Sequence, residues 1–587
     1  MIRTLAAVAL TALAVSSAPA LAQSRGNRAL AGVIADYEQA ARRADPITAG
    51  SEGDRAALSR LPDNSPEAAQ AYRTDMQALR ARLERVPTRG LTSEEALNRS
   101  YLLRVIADNI ESVDLDFARA PISNGDGFFT FGDYLAYTTP VRSGEDAEAW
   151  IARLEALPAY YRQGIANARR GIETGYTQPR IVVERALQTA RGQIDSLEGT
   201  LLTPLAEMPG SIPAAQQETY RERARAIIRE RILPEQRATV AFLENEYLPA
   251  ARQGLGLRSV PNGEALYRYL VRSYTTTEMT PDEIHELGLR EVARIRAAMD
   301  REIAASGFQG DFAAFQHFLH TDPQFYATSP QDLLEKASEV AKRADGQLPR
   351  LFATLPRLSY GVRPIPDESA EGNTTAYYTQ GSAVLGQSGT YWVNLTHLDQ
   401  RPLYELPALT VHEAMPGHHL QISRAQELGD LPYFRRNASE TAFVEGWGLY
   451  AETLGEEMGM YRTPYERFGR LSYEMWRACR LVADTGIHWM GWDIEQARRC
   501  FAENSALSPH NIQTELERYI ATPGQALAYK IGELTIRRLR AEAESALGDR
   551  FDVRIFHDHL LSAGPMPMDM LEARMRAWTT AQQGAAH

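Results

Sequence analysis

The chain contains little cysteine: only Cys479 and Cys500 among 587 residues. Two cysteines cannot form the disulfide framework on which small secreted domains depend. They also do not provide the paired thiolates of a cysteine-type zinc site. In an oxidising compartment they could form a single bridge, but two buried free thiols fit the sequence equally well.

Long hydrophobic runs are also lacking, apart from the one that follows Arg3. That run is shorter than the roughly 20 apolar residues needed to span a bilayer. Because small residues follow it, ending Ala20-Leu21-Ala22, the pattern predicts a secretory signal peptide in residues 1–22, cleaved after Ala22. No cysteine follows the cleavage site, so a lipid anchor is not expected. The predicted product is a periplasmic or secreted protein without membrane insertion.

Positive charge is not in excess, since the formal net charge of −12 becomes −13 when Arg3 is removed with the signal peptide. A negative balance argues against nucleic acid or an anionic membrane surface as the main partner. Small neutral or cationic peptides remain compatible with it. The sequence does not reveal the oligomeric state.

The chain also lacks internal repeats and any linker rich in glycine and serine. Apolar and charged positions alternate with helical periodicity over much of its length, which predicts a mainly α-helical fold. A break near residues 254–261 divides it into two predicted portions, residues 23–255 and 256–587. We expect these to form the two walls of one large cleft.

One segment, residues 373–395, has a non-helical pattern. Residues 390–395 (TYWVNL) favour a strand, which predicts a small β-sheet just before the histidine-rich motif. An edge strand in that position could pair with an extended peptide, with Tyr391 and Asn394 as lining residues. A purely structural hairpin is about equally compatible with the pattern.

The histidine-rich motif is residues 412–419 (HEAMPGHH), which contains three of the twelve histidines. Neutral imidazole is a good zinc ligand. Glu413, directly after His412, could accept a proton from a water bound to the metal. The motif therefore predicts a zinc site with its own general base.

The spacing differs from the usual His-Glu-x-x-His helix, in which both histidines share one face. On a regular helix His412 and His418 would lie about 9 Å apart and point in different directions. Pro416 and Gly417 can interrupt the helix and restore a common face. On this reading His418 is the second ligand and His419 points elsewhere, with His419 as the alternative.

A zinc site that keeps one position open for water needs a third protein ligand. We predict Glu445, which lies on a helical stretch, residues 440–452, that would pack against the first helix. Glu440 and Glu452 on the same stretch are candidates to orient the ligating histidines by hydrogen bonds.

With these residues in view, the chain resembles the bacterial family known as domain of unknown function 885, over most of the length that follows the signal peptide. The resemblance implies a zinc metallopeptidase of the gluzincin type. The matching segments are residues 277–288 (TEMTPDEIHELG), 389–394 (GTYWVN), 412–419, 443–447 (FVEGW), 484–488 (DTGIH), 518–519 (RY) and 523–526 (PGQA).

The region around the motif is also similar to the zinc region of angiotensin-converting enzyme and its helical oligopeptidase relatives. That likeness favours His418 over His419 and implies Glu445 as third ligand. The relatives stabilise the oxyanion with downstream tyrosine and histidine, which implies Tyr519 first and His488 second, with Tyr529 in reserve.

Arginines near these positions could bind a substrate carboxylate. Arg518 is the predicted one and Arg480 a further candidate, although helical arginines more often form structural ion pairs.

The predicted function is a zinc-dependent hydrolase that cleaves amide bonds in short peptides. One alternative is a zinc hydrolase acting on a cell-wall or other amide or ester. Another is a periplasmic peptide-binding protein without catalysis.

Overall fold

The computed structural model describes residues 25–366, 370, 375–383, 386–429 and 431–584. The predicted signal peptide lies outside the described residues, as do residues 373, 374, 384 and 385 of the predicted strand region. The fold is 72% helical with one three-stranded sheet, which confirms the prediction of a mainly α fold with a small sheet. Among the described residues no helix has the length and hydropathy to cross a membrane.

The first part of the chain is entirely helical. Its helices are α1 (Arg25–Ala44), α2 (Pro46–Ser51), α3 (Pro66–Glu84), α4 (Ser93–Leu115), α5 (Phe131–Thr138), α6 (Gly144–Glu173), α7 (Arg180–Leu202), α8 (Ala214–Ile227), α9 (Leu233–Phe242) and α10 (Leu248–Ala250). Short π-helical turns join α8 to α9 and α9 to α10.

Four more helices lead to the sheet. They are α11 (Gly263–Thr275), α12 (Pro281–Ser306), α13 (Phe312–Thr321) and α14 (Pro330–Asp345). The sheet contains β1 (Tyr360–Pro364), β2 (Ala376–Thr379) and β3 (Gly389–Val393), in the order β1-β3-β2. Strand β3 pairs in parallel with β1 and antiparallel with β2. It is therefore the central strand, whereas the sequence predicted an edge strand at this position.

The remaining helices carry the candidate site. They are α15 (Leu406–Glu413), α16 (His418–Gln426), α17 (Tyr433–Arg436), α18 (Thr441–Glu457), α19 (Pro464–Thr485), α20 (Ile494–Asn504), α21 (Pro509–Ala521), α22 (Ala528–Leu547), α23 (Val553–Leu561) and α24 (Met568–Gly584).

The two long helices α12 and α19 pack along each other, as do α18 and α22. Both α12 and α19 begin with a capping box, formed by Thr280 with Glu283 and by Thr463 with Glu466. In each box the threonine hydroxyl and the glutamate carboxylate accept backbone N–H groups that the first turn leaves unpaired. Local sequence thus fixes where each helix starts.

Buried side chains form several hydrophobic clusters rather than one for each predicted portion. Helices α5 to α10 enclose their own cluster, which runs from Ile122 to Ala251. Helices α1, α3 and α4 instead share a cluster with the sheet and with α15 to α18 and α22 to α24. The predicted boundary near residue 255 follows the end of the first cluster, but α1, α3 and α4 pack with the second portion.

Cys479 on α19 and Cys500 on α20 form a disulfide bond, with their Cα atoms 5.6 Å apart. This settles the choice that the sequence left open between a bridge and two free thiols. The bond joins two helices that also pack together in a hydrophobic cluster.

Candidate metal centre

The histidine-rich motif lies on two short helices and not on one. Helix α15 ends at Glu413 and α16 begins at His418. Between them Ala414 and Gly417 have non-helical backbone angles, and the Met415–Pro416 peptide bond is cis. The indole N–H of Trp447 donates a hydrogen bond to the Pro416 carbonyl at 2.9 Å. The break turns the chain so that the His412 and His418 rings lie 4.8 Å apart.

Three side chains, His412 on α15, His418 on α16 and Glu445 on α18, converge, and we call them the triad. The Nε2 atoms of His412 and His418 lie 3.6 Å and 3.5 Å from Oε2 of Glu445. Two ligands bound to one tetrahedral ion at about 2.0 to 2.2 Å would lie about 3.3 to 3.6 Å apart. All three donor atoms lie within 4.8 Å of one another. The residue types and spacing therefore fit a divalent metal such as zinc.

Gly448, one turn along α18 from Glu445, leaves the space that the His412 ring occupies. A Cβ atom at this position would lie 2.8 Å from Cε1 of the His412 ring. Any larger residue would therefore push the imidazole away from the other two donors. The sequence contained this signal as the Gly-Trp-Gly pattern of residues 446–448, but only the packing shows its reason.

A carboxylate orients His412, as metal-ligating histidines usually require. Oε1 of Glu452 lies 2.8 Å from Nδ1 of His412 and 3.2 Å from the guanidinium of Arg477. Of the two predicted orienting residues, Glu452 therefore contacts a triad histidine. Glu440 instead accepts a hydrogen bond from the hydroxyl of Tyr101 at 2.7 Å.

His419 points away from the triad and is fully buried. Its Nδ1 lies 2.8 Å from the Tyr378 hydroxyl, and its Nε2 lies 3.0 Å from the Leu358 carbonyl. Burial lowers the pKa of His419 to about 4, so the ring is neutral at neutral pH. Of the two histidines that the sequence left as alternatives, His418 is the one that lies with His412 and Glu445.

The short distances between the members of the triad shift the pKa values of His412 and Glu445. Burial disfavours a charged His412, but its hydrogen bonds with Glu445 and Glu452 outweigh burial and raise its pKa to about 9. Burial alone would raise the pKa of Glu445, yet contact with both imidazoles lowers it well below its usual range. The same arrangement that stabilises a proton between these groups would stabilise a bound cation.

Glu413 lies next to the triad and is partly exposed. Burial raises the pKa of Glu413, while the nearby His412 and His418 rings act in the opposite direction. Within the described part of the chain its carboxylate forms no ion pair or hydrogen bond. It is therefore available to a ligand.

The opposite side of the site comes from α22. Helices α18 and α22 cross at Gly446 and Gly532, where a Cβ on Gly446 would lie 2.5 Å from the Gly532 backbone. This close crossing places Tyr529 near Glu445, whose charge adds to the effect of burial in raising the Tyr529 pKa. The Tyr529 ring lies over the guanidinium of Arg480 at 4.3 Å and is partly exposed.

The structure places Tyr519 differently from the sequence prediction. Its hydroxyl donates to Glu515 at 2.6 Å and accepts from Arg480 at 2.9 Å and from Trp476 at 3.1 Å. The side chain is fully buried. Because these three partners occupy the Tyr519 hydroxyl, it is not available to a substrate.

His488 is likewise buried and fully hydrogen-bonded. Its Nδ1 accepts from the backbone N–H of Leu257 at 3.1 Å, and its Nε2 donates to the Tyr519 carbonyl at 2.9 Å. Burial lowers the His488 pKa to about 3, which keeps the ring neutral. These contacts give His488 a role in holding the end of α21 rather than in contacting a substrate.

The predicted lining residues of the strand also lie in the interior. Tyr391 is fully buried, with its hydroxyl 3.3 Å from the Thr410 hydroxyl. Asn394 is fully buried and donates to the Ala370 carbonyl at 2.6 Å. Since β3 is the central strand, neither residue lies on an edge that could pair with a peptide.

Arg518 remains partly exposed beside the site. Its guanidinium binds Glu515 at 2.9 Å and the side chain of Gln525 at 2.6 Å. It is therefore an ion-paired residue with some surface still accessible. Sequence reasoning missed Arg477 as a site neighbour, because only the folded helices bring it to Glu452.

This fold and site define a class: mainly helical proteins with two histidines and one glutamate at a candidate metal centre. The chain belongs to the bacterial family of unknown function DUF885, whose model matches residues 46–575. No curated protein matches it.

The solved structures that are similar include the following two. One is described as a "putative lipoprotein" from Colwellia psychrerythraea, with 25% identity and a TM-score of 0.88 over 95% of this chain and 100% of that one. The other, a "putative lipoprotein of unknown function" from Shewanella oneidensis, has 19% identity and a TM-score of 0.72 over 94% and 100%. The second likeness concerns the fold alone.

Proposed function

We propose that this protein is an exported zinc-dependent hydrolase that cleaves amide bonds of short peptides. The observation that supports this most is the convergence of His412, His418 and Glu445 with the unpaired carboxylate of Glu413 beside them. Two imidazoles and one carboxylate, with a fourth position left open, are typical of catalytic zinc sites.

Zinc in such a site would act as a Lewis acid on a carbonyl and would lower the pKa of water to about 7. Glu413, whose carboxylate has no partner among the described residues, would take the proton from the attacking water and pass it to the leaving amine. Glu452 holds His412 through Nδ1, which leaves Nε2 free to face the other donors.

The second element of the proposal is a donor for the oxyanion. Tyr529 is the predicted residue that is both near Glu445 and partly exposed. Because burial raises its pKa, the phenol keeps its proton at neutral pH and can donate a hydrogen bond. We therefore assign this role to Tyr529 in place of Tyr519.

Replacing Tyr529 with Phe should lower kcat by about 100- to 1,000-fold, the usual cost of losing one oxyanion donor. Tyr519→Phe is the matched control, because it removes hydroxyl contacts in the interior and should lower the free energy of unfolding by about 1 to 3 kcal/mol. We expect kcat of the folded Tyr519→Phe protein to stay close to wild type. Steady-state kinetics with thermal unfolding would check both, and a large kcat loss confined to Tyr519→Phe would reverse the assignment.

Export is supported by the predicted signal peptide and by the similar structure from Colwellia psychrerythraea, which is described as a putative lipoprotein, since lipoproteins are exported proteins. Peptides are the proposed substrates because the resemblance to helical oligopeptidases implies them, and because the negative net charge disfavours nucleic acid.

The proposal is tested by metal analysis of the purified protein together with digestion of a peptide library. We expect about one zinc per chain, cleavage of short peptides, and loss of cleavage on chelation that added zinc restores. Wild-type protein with neither metal nor cleavage would contradict the proposal and favour the non-catalytic binding protein.

A further inference from the structure

A cavity of about 650 Å³ lies between the N-terminal helices and the second portion of the chain. Asn124 and Arg185 line it on one side, and Tyr404, Tyr473 and Trp476 line it on the other. Cavities of about 300 to 1,000 Å³ are the usual size for small-ligand sites.

The cavity is close to the metal centre along α15. Glu405, directly before this helix, lines the cavity, and His412 follows seven residues later. Seven residues are almost two helical turns, so the two residues share a face and lie about 10 Å apart. An extended peptide advances about 3.3 Å per residue. The cavity is therefore about three peptide residues away from the metal ligands.

Helix α19 makes a second connection. Tyr473 and Trp476 line the cavity, and the next residue, Arg477, binds Glu452, the partner of His412. Helix α15, through its N-cap residue Glu405, and helix α19 thus contribute residues both to the cavity lining and to the surroundings of the metal centre.

Arg401 in the cavity lining has no carboxylate partner among the described residues. Its Nε donates to the Thr396 carbonyl at 2.6 Å, and Nη2 lies 3.4 Å from the Thr396 hydroxyl. Burial lowers the Arg401 pKa to about 10, so the guanidinium stays charged at neutral pH. A largely buried guanidinium without a counter-ion is well suited to bind an anion, above all a carboxylate.

The neighbours of Arg401 add hydrogen-bond donors. The buried hydroxyl of Tyr404 has no partner in the described part of the chain. Burial raises the Glu405 pKa to about 8, so this carboxyl group is mainly protonated at neutral pH and adds little negative charge.

Other charges around the cavity do not neutralise Arg401. Arg185 cannot do so because it is itself a cation, and it is paired with Glu517 at 3.2 Å. Asp399 is exposed and forms no ion pair with Arg401 among the described contacts.

We propose that this cavity is a subsite for a carboxylate of the substrate, with Arg401 as its counter-charge and Tyr404 as an additional donor. The proposal rests on the proposed peptidase function and makes it more specific. The carboxylate could be the C-terminus of a short peptide or the side chain of an acidic residue about three residues from the cleaved bond.

Isothermal titration calorimetry on the Glu413→Gln variant, which should not turn over its ligand, can distinguish these sources. The probes are pentaalanine, its C-terminal amide, and two further amides in which the fourth residue is Glu or Gln. We expect one carboxylate peptide to bind about 10- to 100-fold more tightly than its neutral counterpart. Preference for free pentaalanine indicates the C-terminus, and preference for the Glu peptide indicates a side chain.

Adding Arg401→Gln should abolish the preference, whereas Arg350→Gln, an exposed arginine outside the cavity lining, should leave it unchanged. Equal affinities for all four peptides, or no binding of any, would overturn the subsite even before Arg401→Gln is tested. A preference that survives Arg401→Gln in a folded protein would overturn the role of Arg401.

Binding is measured here without cleavage, so the two proposals fail separately. Wild-type protein that cleaves peptides without preferring carboxylates keeps the hydrolase function and loses the subsite. Protein whose Arg401-dependent preference is present but which hydrolyses no peptide keeps the subsite and loses the hydrolase function.

Discussion

Glu413→Gln should retain zinc and lose about 100- to 10,000-fold in kcat, the range for removal of a general base. The side chain forms no ion pair or hydrogen bond within the described residues, so an isosteric amide should leave the fold unchanged. It would, however, be unable to accept a proton from water. Zinc content, circular dichroism and kcat measured on the same preparation would check this result.

Glu452→Gln is the matched control, since it makes the same carboxylate-to-amide change at another residue of the site. Glu452 contacts Nδ1 of His412 at 2.8 Å and not the space in front of the triad. Its loss should weaken zinc binding by about 10- to 100-fold, and excess zinc should restore most of the activity. If excess zinc also rescued Glu413→Gln, the assignment of Glu413 as base would be wrong.

His418→Ala should abolish stoichiometric zinc binding, whereas His419→Ala should preserve it. His418 lies 3.5 Å from Glu445 through Nε2, while both ring nitrogens of His419 contact other groups, Tyr378 and the Leu358 carbonyl among them. The His419 variant instead leaves a cavity in the interior and should unfold at lower temperature.

Metal analysis with thermal unfolding would separate the two effects. A His419→Ala protein that is folded but free of zinc, next to a His418→Ala protein that keeps it, would reverse the ligand assignment. Loss of zinc from both variants, each still folded, would mean that His418 binds zinc only when the first turn of α16 is intact.

The pairing of His412 with His418 in the candidate metal centre could be predicted from sequence because it depends on local pattern. Pro416 and Gly417 together favour a break in the helix at this point. Given that break, His412 and His418 can lie side by side, and Glu445 on α18 can reach them. The mainly helical fold follows equally from periodicity.

The second wall of the site could not be predicted in this way. Whether a tyrosine faces a ligand depends on which long-range partners fill its hydrogen bonds, and Tyr519 takes three from α19 and α21. Tyr529 becomes a neighbour of Glu445 because Gly446 and Gly532 permit a close helix crossing. The burial of Tyr391 could not be predicted either, because it follows from the pairing of its strand β3 with β1 on one side and β2 on the other.

The shared cluster of α1, α3 and α4 with α22 to α24 has a consequence for the order in which the chain can fold. The buried residues of the α5 to α10 cluster all lie within residues 122–251, so this cluster can condense as soon as that stretch is available. The first helices must wait for partners as distant as Met575. Contacts across such long separations form slowly, so the α5 to α10 bundle should be the early folding unit and the metal centre should assemble last.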